Sequence, residues 1–192
     1  MAKYRTVIKL ADLLGFKRTG NYYGSFITGA AQSTQGVASA NSLRAFPFYL
    51  PKTTTFDRIA VRVTTLATGT TPRLRLGIYE DNGNNYPGKL VLDAGEVDVS
   101  TTGVKELTIN TTLQGGKLYW LCLVGQDTTA LVVAATVAGD VIPVLGYEAD
   151  LSGTPLSGWA VTQTYGVLPA TYPTGSPVGW TLGVPLIALR KA

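Results

Sequence analysis

Between residues 80 and 88 the sequence reads EDNGNNYPG. Four of those side chains, Asp81, Asn82, Asn84 and Asn85, carry oxygens that could ligate a hard cation. A calcium loop of the EF-hand type wants glycine at its sixth position and a bidentate glutamate at its twelfth. Counted from Asp81, those positions hold Tyr86 and Leu92, and Asp81 is the one carboxylate inside the loop, with Glu80 at its edge. The same residues suit a bend. Asn82-Gly83 tolerates the positive φ angles of a tight turn, and Pro87-Gly88 suits a second turn. The expectation is a hairpin connection from a strand ending at Tyr79 to one starting near Lys89, with no metal.

Other reactive chemistry is sparse. The chain has no histidine, which removes the Ser-His-Asp and Cys-His nucleophile systems and the usual zinc sites. Its single cysteine, Cys122, lies in the apolar run LYWLCLVG. A lone thiol makes no internal disulfide, and without a histidine it reads as a small buried hydrophobe. That usage is compatible with a reducing cytoplasm. A glycosidase needs two opposed carboxylates. The acidic residues Asp57, Glu80, Asp81, Asp93, Glu96, Asp98, Glu106, Asp127, Asp140, Glu148 and Asp150 mostly sit at turns or opposite an apolar face, where a solvated charge is expected. No phosphate-binding or dinucleotide glycine motif is present. The reading is a non-enzymatic chain with no catalytic residues and no cofactor.

The elements around these residues read as β-strands. In FDRIAVRVTTL, Ile59, Val61 and Val63 share one face while Arg58, Arg62 and Thr64 take the other. PRLRLGIYE repeats the pattern, with Leu74, Leu76 and Ile78 opposite Arg73 and Arg75. In VKELTIN, Leu107 and Ile109 lie opposite Glu106 and Thr108. Strict alternation marks antiparallel sheets wet on one side. KLYWLCLVG is apolar on both faces, so that strand should be covered by a core and by something else. In LRAFPFYLP, Pro47 and Pro51 argue for an edge or crossing segment rather than a central strand. Residues 21–42 are rich in Gly, Ala, Ser and Thr and read as loop or extended strand. Turns are expected at DAGE (93–96), STTG (100–103), LQGG (113–116) and VAGD (137–140), near the spacing of a sandwich or barrel. TLGVPLIALR reads as a final strand.

Two segments stand apart. Residues 1–20 are basic and partly apolar, with Tyr4, Ile8, Leu10, Leu13 and Leu14 as candidate anchoring residues. They form an N-terminal arm, helix or strand, that docks on a neighbouring subunit or folds back on its own domain. The stretch 150–185 is dominated by Gly, Pro, Thr and aromatics. That is too long for an idle loop, so it holds short strands or wraps a neighbour. Trp159, Tyr165, Tyr172 and Trp180 are its candidate interface or glycan contacts, with packing on the domain's own core as the other reading.

Composition bounds the partners. The 192 residues suffice for one domain of 21–192 behind the arm 1–20. Only 15% are charged, against about 25% in typical soluble domains, and such a surface suits a protein packed beside copies of itself or an extracellular β-protein. The net charge of +4 comes without a long basic cluster or aromatic interleaving, so no nucleic-acid partner is expected. No apolar run reaches the ~18 residues of a membrane span, so no membrane partner is expected either. Lys9 and Asp12 interrupt the leading apolar stretch and no small-residue cleavage site follows, so a signal peptide is not expected.

The series FPFYLPKTTTFDRIAVRVTT, then LRLGIYEDNGNNYPGKLVLDAGEVDVSTTGVKELTI, then TLQGGKLYWLCLV covers about residues 45–125. In order and spacing it resembles a β-sandwich module of tailed-bacteriophage structural proteins. The resemblance implies an all-β fold, an antiparallel, jelly-roll-like β-sandwich, in a protein located on the virion and assembled in the host cytoplasm. It implies a capsid decoration or cement protein that is a homo-oligomer, taken as a trimer, in contact with major capsid or tail proteins. The alternatives are a tail-fibre or baseplate component that binds a receptor or host surface glycan, and an extracellular carbohydrate-binding module. The likeness lies in folding signals, so it transfers no site residue.

Overall fold

The computed structural model describes residues 18–24, 32–37, 39–136, 145–146, 156–175 and 177–192. The arm residues Tyr4, Ile8, Leu10, Leu13 and Leu14 and the expected turn at 137–140 lie outside them.

The described residues are all-β, with no helix among them. The strands are β1 (Tyr22–Gly24), β2 (Gln32–Gly36), β3 (Ser42–Leu50), β4 (Thr54–Thr65), β5 (Arg73–Asp81), β6 (Pro87–Asp98), β7 (Gly103–Leu113), β8 (Lys117–Gln126), β9 (Val132–Thr136), β10 (Gly158–Thr162), β11 (Val178–Trp180) and β12 (Ala188–Lys191). They form two antiparallel sheets packed as a sandwich. The first has the order β1-β12-β4-β9-β2, with β7 on the other side of β4. The second has the order β11-β10-β3-β8-β5-β6.

Alternation fixes which face turns inward. Ile59, Val61 and Val63 of β4 and Leu74, Leu76 and Ile78 of β5 meet in one inter-sheet core with Phe46, Phe48, Leu121 and Leu123. Each large apolar side chain taken from water contributes roughly 1.5–3 kcal/mol. Phe56 joins the same core although it lies three residues from Ile59. The ladder between β4 and β7 shifts register between Phe56 and Arg58, and that irregularity resets the alternation.

β8 is covered on both sides, as its composition demands. Tyr119, Leu121 and Leu123 enter the inter-sheet core. Trp120, Cys122 and Val124 enter a second core on the outer face of the second sheet, with Leu43, Ala45, Tyr79, Val161, Leu168 and Tyr172. The "something else" over β8 is the chain's own segment 163–173, here called the strap. The stretch 150–185 thus supplies short strands β10 and β11 and, between them, a cover for the second sheet.

Two sequence expectations need correction. β3 is a central strand, between β10 and β8, despite Pro47. The ladder to β10 runs only from Ser42 to Ala45, whereas the ladder to β8 runs from Arg44 to Leu50. Pro47 therefore falls where β3 has a single ladder neighbour, and its missing N–H is not needed by a second one. DAGE is not a turn. It lies inside β6, where the register with β5 shifts between Leu76 and Gly77 and Gly95 takes φ 96°. A glycine in the left-handed region serves a β-bulge as well as a turn. STTG and LQGG do connect strands, β6 to β7 and β7 to β8, with Gly103 at φ 106° and Gly116 at φ 74°.

Candidate functional site

The 80–88 segment is a hairpin bend in which the Asp81 and Asn82 side chains accept hydrogen bonds from within the chain. Asp81 pairs with Pro87 across the β5–β6 ladder, and Asn82 N–H donates to Tyr86 O at 2.9 Å. Gly83 and Asn85 take positive φ, 93° and 54°. Asp81 Oδ2 accepts from Gly83 N at 2.8 Å, and Asn82 Oδ1 accepts from Asn84 N at 2.9 Å. Asp81 Oδ1 accepts from Trp120 Nε1 at 2.9 Å, so the loop carboxylate satisfies a buried indole.

The aromatic residues of the 150–185 stretch fall into two places, Tyr172, Trp159 and Tyr165 at the outer cluster of the second sheet and Trp180 at the inter-sheet core. Tyr172 is buried, 1% exposed. Its ring meets Tyr79 and Tyr86 edge to face at 5.3 and 5.6 Å, and its hydroxyl donates to Leu43 O at 2.8 Å. Burial pushes its phenol far above the ordinary value. Trp159, on β10, packs half-buried at the margin of this cluster, 5.2 Å from Tyr86, and Nε1 donates to Asn85 O at 2.9 Å. Tyr165 packs against the same cluster. Its hydroxyl donates to Glu96 Oε2 at 2.7 Å and its backbone N–H to Asn41 Oδ1 at 2.8 Å. Burial first, and the Glu96 carboxylate second, raise its pKa. Trp180, on β11, packs instead against the inter-sheet core. It meets Phe46 at 6.1 Å and lies under the Arg44 guanidinium at 4.4 Å, and Nε1 donates to Gly183 O at 3.0 Å. Burial lowers the pKa of Arg44 to about 10.

Trp159 and Trp180 therefore sit on opposite faces of the second sheet and make no common platform. The structure joins Trp159 and Tyr172, and through them residues that the sequence did not single out as contacts: Tyr79, Tyr86 and Trp120. For Trp120 the signal was the two-faced apolar pattern of β8; Tyr79 and Tyr86 lie outside that strand.

The strap is pinned by polar bonds from beneath. Tyr79 and Tyr86 hydroxyls donate to Pro169 O at 2.9 Å and Pro173 O at 2.6 Å. Leu168 N–H donates to Asp93 Oδ2 at 3.0 Å, Leu90 N–H to Ala170 O at 2.9 Å and Tyr172 N–H to Gly88 O at 2.8 Å. Gly77 leaves room for it, because a Cβ there would collide with the Leu168 side chain and lie 2.7 Å from Leu92 O. Cys122 is buried beneath the strap, and burial pushes its thiol far up, so it stays a thiol.

The outer face of the first sheet differs. Arg190 grips Asp57 through two bonds of 2.8 and 2.7 Å, Arg58 lies 3.5 Å from Glu106, and the Tyr22 hydroxyl donates to Glu106. Beside this network Tyr22 and Val104 are 40% and 59% exposed.

Compared with known proteins, the chain matches no family model and no curated sequence.

Proposed function

We propose that the chain is a non-enzymatic structural protein on the surface of a bacteriophage virion, a capsid decoration or cement protein acting as a homo-oligomer. The observation that supports it best is the unequal treatment of the two sheets. One outer face is covered by the chain's own strap, and the other carries the exposed Tyr22 and Val104 among charged residues. The order of motifs over residues 45–125 adds the likeness to virion proteins. In this reading the sandwich is a rigid spacer. That second face joins a neighbour by burying apolar area at about 25 cal/mol per Å², and symmetric copies turn weak contacts into avidity.

A tail-fibre or baseplate position is the second reading. An open hollow of about 250 Å³ beside the 80–83 hairpin, lined by Glu80, Asp81, Lys117 and Tyr119 among others, favours it. Carboxylates and an ammonium around an apolar floor suit a glycan.

Electron micrographs of native particles, labelled with an antibody against the chain, test both. Label over the capsid faces supports the cement reading. Label at the tail tip, with glycan-array binding lost in Lys117→Ala, supports the second. Particles without label would overturn both.

A further inference from the structure

The outer face of the first sheet holds a concave apolar feature among the described residues. Tyr22, Ala60, Arg62, Val104, Leu186 and Ala188 line most of an open furrow of about 130 Å³. A cavity of roughly 150 Å³ takes up a benzene ring, so the furrow has room for one large aliphatic side chain. The surrounding charges fall into two groups. Arg58, Arg190, Asp57 and Glu106 satisfy one another. Arg62 is exposed and has no carboxylate partner among the described residues. The furrow therefore fits an apolar side chain with a carboxylate beside it, which would complement both the floor and the free guanidinium.

The chain's own sequence contains that pair. Asp12 is the sole acidic residue of the first 20 and is followed directly by Leu13 and Leu14. We infer that the Asp12–Leu14 segment of a second copy docks here, a leucine in the furrow and Asp12 on Arg62. This deepens the proposed function and rests on its oligomeric part.

The path of the chain favours a second copy over its own arm. In the β1–β12 ladder Gly24 faces Ala188 and Tyr22 faces Arg190, and Gly20 N–H donates to Lys191 O at 2.9 Å. From β1 back toward residue 18 the chain thus moves toward the end of β12, away from Leu186 and Ala188. The described residues 18–24 therefore lead away from the chain's own furrow.

Cysteine pairing tests this in the full chain, whose native Cys122 is buried. One preparation carries Leu14→Cys in the arm and another Val104→Cys at an exposed position of β7. Mixed and oxidised, they should give a disulfide-linked heterodimer that neither preparation gives alone. A chain carrying both substitutions that closes only on itself, or no link in either experiment, would overturn the inference. Sedimentation provides the second readout. Arg62→Glu should weaken self-association by at least about tenfold, and adding Asp12→Arg should restore it. Unchanged association in Arg62→Glu would also overturn it. Particles that label normally while the cysteines fail to link would refute the docking and leave the virion role standing.

Discussion

The two sheets of this sandwich solve the same problem in opposite ways. Each has an inner face in the shared core and an outer face that must meet something. The second sheet's outer face is apolar, with Leu43, Ala45, Trp120, Cys122 and Val124, and the chain lays its own strap across it. The first sheet's outer face meets water through Arg58, Arg62, Glu106 and Arg190, and keeps only a narrow apolar furrow. The difference teaches where a partner can act. A face closed by four tyrosine hydroxyls and several backbone bonds would have to lose them all before it could bind. A face held by exposed ion pairs gives up little, since such pairs are worth about 0–1 kcal/mol each.

The sharpest break in that comparison is Trp120→Ala. The residue is fully buried under the strap and its indole N–H is held by Asp81. Truncation should cost about 3–5 kcal/mol, read as a lower urea midpoint. A loss below about 1 kcal/mol, the size of an average surface change, would mean that the strap is not a true core. Tyr172→Phe keeps the ring and removes the hydroxyl that donates to Leu43 O. A carbonyl left without its buried donor should cost about 1–2 kcal/mol, by the same measurement. A neutral result would place water at that carbonyl.

The sandwich was legible in the sequence because alternation is a local signal. Ile59, Val61 and Val63 report their face without knowledge of any other strand, and the double-sided pattern of β8 announced its second cover. The identity of that cover was not legible. Leu168 and Tyr172 reach β8 from more than forty residues away, through contacts that leave no period in a Gly- and Pro-rich stretch. The position of Pro47 was misread for a related reason. A proline reports its missing N–H, but where β10 stops pairing is set by the far end of the chain. The aromatic candidates of 150–185 were visible as residue types, while their separation onto two sheet faces depended on registers that no local pattern encodes.

The clip between strap and sheet should respond to acid. Asp93 bonds Arg75 Nε at 2.8 and 3.0 Å and accepts the N–H groups of Leu168 and Gly95. Burial alone pushes its carboxyl up, but Arg75 and the two backbone donors outweigh that and hold it below the ordinary value. A depressed folded-state pKa means that Asp93 stabilises the fold above its unfolded value of about 3.9. That contribution fades as the pH falls through the lower folded value. Asp93→Asn should cost about 1 kcal/mol at neutral pH, and the gap from wild type should close below about pH 4. Urea midpoints between pH 7 and pH 2 check it, and a gap that does not narrow with acid would assign the effect to packing.

The smallest effect belongs to the open face. Val104 stands at the furrow, opposite Arg62 in the β4–β7 ladder and largely exposed. Val104→Thr preserves β-branching and replaces one methyl by a hydroxyl, so backbone preference at β7 barely changes. In an isolated chain the change should fall within about 0.5 kcal/mol of zero. In the proposed oligomer the change removes a methyl from the apolar contact with the docked leucine, which weakens that contact. Urea melts at low and at high protein concentration therefore separate the two states. The variant should match wild type when dilute and fall behind it when concentrated. A deficit of equal size at both concentrations would make Val104 an ordinary packing residue of its own domain and remove the distinction between the two faces.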